Sequence, residues 1–218
     1  MGGIWEMNLW SLIKSGGPIM IPIILCSLFA LAIVIEKFFY FSRINTNVTA
    51  LKSEVFNLIK SNKIKEAVLH CDQYRSPVAK ILKAGLIKFG AAKEEIKESL
   101  EEVSMFEIPK METKLHALAT IAHICPLLGL LGTVTGMTAS FHTIQVRMAS
   151  LNPVTPGDLA GSIGEALLTT VAGLMVAIPT YVAYNFCVNR IHRFTLEMER
   201  AATELLNFMS HLSSTNVN

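Results

Sequence analysis

From Leu115 to Ile144 the chain runs about 30 residues without one Asp, Glu, Lys or Arg. A helix rises 1.5 Å per residue, so this stretch exceeds a hydrocarbon core of ~30 Å and must tilt or reach into water. Two further stretches are comparably apolar, Ile19 to Phe41 and Ile163 to Val188. Over the whole chain 17% of residues are charged and 51% are hydrophobic, whereas a soluble domain carries about 25% charged residues. Mean hydropathy is +0.45. The 218 residues leave room for a few membrane spans and roughly one small domain of polar chain.

Taken in order, residues 1–17, with Trp5, Trp10 and Lys14, predict a short interfacial entry, because tryptophan favours the membrane boundary. Residues 18–41 form the first span, with Pro18 and Pro22 in its first turns, where a missing N–H costs little, and Phe38 to Phe41 at its far end. Residues 42–114 change character: they hold thirteen of the nineteen Lys and Arg, and apolar residues recur at helical spacing, as in Leu51, Val55, Leu58 and Ile59. Helices are expected from Ile64 to Cys71, from Pro77 to near Gly90, and from Lys93 to Met105. In the last of these Ile96, Leu100 and Val103 share one face, while Glu95, Glu98, Glu101 and Glu102 form a solvated one. The second span covers 115–144, a polar connector 145–162, the third span 163–188 and a tail 189–218. Pro179 is expected to kink the third span. In the tail Ile191, Phe194, Met198, Ala201, Leu205, Phe208 and Leu212 keep a heptad spacing that should continue the third helix.

Basic residues set the orientation. Seventeen lie at Lys37, in 42–114 and at Arg190, Arg193 and Arg200, whereas Lys14 and Arg147 stand alone on the other side. The positive-inside rule then places 42–114 and the C-terminus in the cytoplasm, and the N-terminus and the connector outside. The predicted fold is an all-α integral membrane protein. Three transmembrane helices extend into the cytoplasm, with a helical cytoplasmic insertion and an N-out/C-in topology. Neither a cleaved leader nor myristoylation is expected: the first apolar run is long and lacks a small-residue cleavage site, and Glu6 stands where the acylation motif needs Ser or Thr.

One residue of the third span points to chemistry. Glu165 is the sole acidic residue between Asp158 and Glu197. A carboxylate in a spanning helix usually faces a partner or a wet cavity and marks an ion or proton path. Thr169, Gly173 and Ala177 follow at helical spacing and give that face small and polar atoms. In the second span Gly132 and Gly136 form a GxxxG pair, with Gly129 and Ser140 on the same side; glycines at this spacing let backbones approach closely. The Thr133 hydroxyl can either line a polar path or bond back to a carbonyl of its own helix. His116, His123 and His142 could relay protons or simply pack. Cys26, Cys71, Cys125 and Cys187 share no CxxC spacing, which predicts free thiols and no metal site. No nucleotide loop and no Ser/His/Asp set appears, so an enzyme, a cofactor and a nucleic-acid partner are not expected.

The runs PLLGLLGTVTGMTASF, Pro126 to Phe141, and EALLTTVAGLMVAIPTYVAYN, Glu165 to Asn185, together resemble the MotA/TolQ/ExbB proton-channel family, in its ExbB/TolQ branch. The likeness covers most of the chain, leaving out residues 1–17 and the last few. It implies a homopentamer in the bacterial inner membrane around an ExbD- or TolR-like single-span partner. Proton flow would be passed on as work to a TonB- or TolA-like protein. By motif position, Glu165 corresponds to the family's third-span Glu, and Thr133 and Thr170 to its polar pair. The resemblance thus selects Thr170 where helical spacing alone favours Thr169. Gly129, Gly132, Gly136, Gly173 and Pro179 take packing or pore-lining places. The rival reading is a structural membrane scaffold without ion coupling, in which Glu165 anchors at the interface. A small-molecule transporter is weaker, since neither an inverted repeat nor a second intramembrane charge is present.

Overall fold

The computed structural model describes residues 16–45 and 47–215, and every regular element in them is an α-helix. In chain order these are α1 (Met20–Ile44), α2 (Val48–Lys60), α3 (Ile64–Asp72), α4 (Pro77–Ile87), α5 (Lys93–Glu112), α6 (Leu115–Ala149) and α7 (Pro156–Thr215). Three of them, α1, α6 and α7, carry stretches long and apolar enough to cross a membrane. The expected interfacial entry, with Trp5, Trp10 and Lys14, lies outside the described residues.

The connector after the second span is shorter than the sequence suggests. The polar residues that follow Ile144 continue α6 to Ala149, and α7 starts at Pro156. Polarity alone does not end a helix. The stop comes from backbone geometry: Leu151 adopts a left-handed φ of 55°, and the N–H groups of Ser150 and Asn152 turn back onto the Arg147 carbonyl. Pro156 then opens α7 where its missing N–H costs nothing. From there α7 runs unbroken for 60 residues, through Pro179 and into the tail.

Contacts divide the chain into two compact units. The first joins residues up to Ile35 with Lys114–Asn185, which brings together the start of α1, α6 and the first part of α7. Met20, Ile23, Leu115 and Leu118 are buried in it, but where α6 faces α7 the interior is made of small residues. Gly129, Gly132, Gly136 and Ser140 are buried on α6, and Ala166, Thr169, Ala177 and Thr180 on α7. Along these stretches of α6 and α7 Met137, Phe141, Val171, Met175 and Ile178 point outward.

The second unit comprises Glu36–Thr113 and the chain from Phe186 on. Here α2 is capped by Asn47, whose Oδ1 accepts the Ala50 N–H at 3.2 Å, and it buries Leu51, Val55 and Ile59. Pro77 at the first position of α4 fixes φ for a helix that buries eight of its eleven residues. On α5 the buried positions are Ile96, Leu100 and Met111, and the run of Glu95, Glu98, Glu101 and Glu102 is exposed. The tail follows its expected stripe through Ile191, Phe194, Met198, Ala201 and Leu205, all buried. One turn later Met209 takes the buried place and Phe208 is half-buried against Phe56. A straight helix at 3.6 residues per turn drifts from a strict heptad, and 18 residues make five full turns. Ile191 and Met209 therefore share a face.

Lys37 is buried in this unit, at 4% exposure. Its Nζ donates to the Met111 carbonyl at 2.9 Å and lies 5.3 Å from the centre of the Tyr40 ring. Met111 stands in the last turn of α5, where carbonyls lack helical donors and the dipole favours a cation. The charge that closes the first apolar run is thus a helix cap.

Candidate functional site

Glu165 occupies the third turn of α7 and is half-buried. Its carboxylate lies against the backbone of Gly17, so close that a Cβ at that position would overlap Oε1. Gly17 holds a left-handed φ of 64°, a conformation that side chains disfavour. Its carbonyl accepts the Met20 N–H at 3.1 Å, which ties the turn to the start of α1. The backbone angle favours glycine there, while the carboxylate in front of it ends a flexible side chain that an added methyl would displace. The Gly16-Gly17-Pro18 sequence signals a turn, but nothing in it announces a contact with Glu165.

Beside Glu165 the two long helices meet through small residues. An added Cβ at Gly129 would come within 2.9 Å of the Thr170 Cα; at Gly136, within 2.7 Å of the Ser162 carbonyl oxygen; at Gly173, within 2.5 Å of the Cys125 carbonyl oxygen. Gly132 faces the Thr169 side chain. Gly129, Gly136 and Gly173 thus lie against backbone atoms of the facing helix, and Gly132 against a side chain.

The threonines divide their roles. Thr169 is 1% exposed, and its hydroxyl donates to the Ala166 carbonyl at 2.8 Å on its own helix. Thr170 is half-buried and donates across the helix pair to the Gly129 carbonyl at 3.0 Å. Thr133 is also half-buried, with its hydroxyl on the Leu130 carbonyl at 2.7 Å. The structure thus brings Thr170 to Gly129 and Glu165 to Gly17, while the Thr133 hydroxyl bonds its own helix. At about 100° per residue Thr169 lies about 40° around α7 from Glu165, and Thr170 about 140°. Glu165 and Thr170 therefore flank the buried stripe of Ala166, Thr169 and Gly173 on opposite sides.

His116, His123 and His142 are exposed. The Nδ1 of His123 lies 2.8 Å from the Ala119 carbonyl, and its ring meets Tyr181 edge-on at 6.3 Å. Among the described residues no group of three or more His, Cys, Asp or Glu could hold a metal ion, and all four cysteines are free thiols.

Residues 73–200 match the model of the MotA/TolQ/ExbB proton channel family. An ExbB-like biopolymer transport protein of Synechocystis is 32% identical over 171 residues, covering 78% of this chain and 80% of its own. The biopolymer transport protein ExbB of Neisseria meningitidis is 26% identical over 217 residues, 91% of this chain and 96% of its own. The Tol-Pal system protein TolQ of Pseudomonas aeruginosa is 31% identical over 196 residues, 82% of each. A helix pair built on Gly129, Gly132, Gly136 and Gly173, a carboxylate at its edge and these matches lead to one conclusion: the chain belongs to the MotA/TolQ/ExbB proton channel family, in its ExbB/TolQ branch.

Proposed function

We propose that the chain is the proton-channel and stator subunit of an inner-membrane energy-transducing motor. It would act as a homopentamer with an ExbD- or TolR-like single-span partner. The proton motive force would energise a TonB- or TolA-like protein for outer-membrane transport or envelope maintenance. The observation that carries this reading is Glu165: a half-buried carboxylate on a long apolar helix, set against the Gly17 backbone. Membership of a proton channel family supports it, as do relatives named for biopolymer transport and for the Tol-Pal system.

In mechanism, Glu165 would exchange a proton and so change the field met by an acidic group on the partner's helix. One proton crossing 100 mV releases about 2.3 kcal/mol, enough for a few protons to drive a modest conformational cycle. Thr170 and Thr133 would supply hydroxyls along that path. In this reading 42–114 and the tail lie in the cytoplasm, with the turn at Gly17 and residues 150–155 outside.

The test is Glu165→Gln in cells, with energy-dependent uptake and envelope integrity as readouts and capture of the partner as the control for assembly. Loss of both functions with assembly intact is the expected result, and Thr133→Val and Thr170→Val should each weaken coupling. Full function in Glu165→Gln would favour the scaffold reading and end the proton-path role.

A further inference from the structure

A cavity of about 370 Å³ lies within the second unit, and its wall carries five cations: Arg43, Arg75, Lys80, Lys83 and Lys110. They come from separate elements. Arg43 stands in the last turn of α1, Lys110 in the last turn of α5, Lys80 and Lys83 on α4, and Arg75 just before it.

Two of the five are neutralised. Lys80 donates to both Glu107 oxygens at 2.7 Å, and Lys83 pairs with Asp72 at 2.5 Å. Arg43, Arg75 and Lys110 form no ion pair among the described residues. The remaining titratable wall groups do not offset them. Tyr40 and Tyr74 offer hydroxyl donors. The Cys71 thiol is pushed up to about 11 by burial, reinforced by the neighbouring Asp72 carboxylate, so it adds no negative charge. Three uncompensated like charges around one cavity raise its potential and attract an anion. Two are guanidinium groups, whose planar forks match phosphate oxygens in pairs. The volume suits a small ligand. Arg43 also lies two residues beyond Phe41, where the aromatic run at the end of the first apolar helix gives way to polar chain.

We propose that this cavity binds a phosphate-bearing anion held by Arg43, Arg75 and Lys110. The phosphate could belong to an anionic phospholipid of the adjacent leaflet or be free in solution. The lipid source rests on the reading of α1 as a span, and neither source involves Glu165.

The full chain, purified in nonionic detergent, would be titrated separately with dioleoylphosphatidylglycerol, dioleoylphosphatidylcholine and inorganic phosphate, with bound ligand read by native mass spectrometry. The wild type should retain phosphatidylglycerol over phosphatidylcholine. R43A/R75A/K110A should weaken that retention by about tenfold or more, given the contribution of each basic residue near an anionic surface. K65A/K88A/K93A, which removes three exposed cations elsewhere, should leave it within about twofold. Retention of phosphatidylglycerol but not inorganic phosphate assigns a lipid headgroup; retention of inorganic phosphate with the same dependence assigns a soluble ligand. Equal losses in the two triple variants, or none in the first, would overturn the site. The wild type gives a second measurement that needs no variant to fold. Labelling of Arg43 and Arg75 by phenylglyoxal should fall when the retained ligand is present, and unchanged labelling would also overturn the proposal.

Discussion

Along α7 one continuous helix reverses its inside and outside. In the first unit it buries Ala166, Thr169, Ala177 and Thr180 and turns Val171, Met175, Ile178 and Val182 outward. In the second it buries Ile191, Phe194, Met198 and Leu205, while His192, Arg193, Glu199 and Arg200 are exposed. In water, covering a large apolar side chain contributes about 25 cal/mol per Å², so large residues go inside. In lipid the surroundings are as apolar as leucine, and helices associate through close backbone contact and interhelical hydrogen bonds. Small residues then take the seam between α6 and α7. The same inversion separates α6, with its buried glycines, from α4, which buries Ile81, Leu82 and Leu86.

Two methionines of this helix put the contrast to the sharpest test. Met198 is 1% exposed and Met175 is 66% exposed. Met198→Ala should cost about 2–5 kcal/mol, as for other buried large-to-small changes. Met175→Ala should stay within about 0.5 kcal/mol. Thermal unfolding of the full chain in detergent micelles measures both. A large loss at Met175 would mean that another chain covers that face, which would favour the pentamer; equal small losses would erase the contrast.

A charge probes the same faces from outside. Ile178 is 62% exposed on the apolar part of α7, and Ile178→Lys should oppose membrane insertion by about 2.5–3.5 kcal/mol at mid-helix. Glu98→Lys, on the exposed face of α5, should shift stability by no more than about 0.5 kcal/mol. A glycosylation-based insertion assay for the first and micelle unfolding for the second would separate the two surroundings. Free insertion of Ile178→Lys would show that this face meets water or protein.

Local periodicity made much of this legible in the sequence. The apolar stretches, the starts of α3, α4 and α5 and the buried stripe of the tail all follow from residue spacing. What spacing could not assign was which flank of a stripe a residue occupies. Thr169 is the i+4 neighbour of Glu165, and spacing alone assigns it to the carboxylate's face. In the structure it is enclosed against Gly132, and Glu165 stands at the stripe's edge. That outcome depends on where α6 lies, a long-range fact. The Gly17–Glu165 contact was hidden for the same reason, since a left-handed turn far away in sequence carries no periodic signal. The length of α6 was missed because composition marks where lipid ends, whereas helices end at backbone angles such as that of Leu151.

The glycines give the smallest effect and the finest test of the contrast. At Gly173 an added methyl would lie 2.5 Å from the Cys125 carbonyl oxygen, whereas at Gly164, on the same helix, it would meet nothing within 4 Å. Backbone cannot swing aside as a side chain can, so α6 and α7 would have to separate. Gly173→Ala should therefore cost about 1–3 kcal/mol, the usual range for overpacking. Gly164→Ala should be neutral or stabilising by up to about 1 kcal/mol, since alanine lowers the entropy of the unfolded chain. The separation would also lengthen the neighbouring Thr170–Gly129 hydrogen bond, now 3.0 Å, so Thr170→Val should lose less stability in the Gly173→Ala background than in the wild type. A double-mutant cycle read by thermal unfolding in micelles measures that coupling. Strict additivity would mean that the hydroxyl and the glycine contact act independently, and that the close approach at Gly173 does not set the Thr170–Gly129 distance.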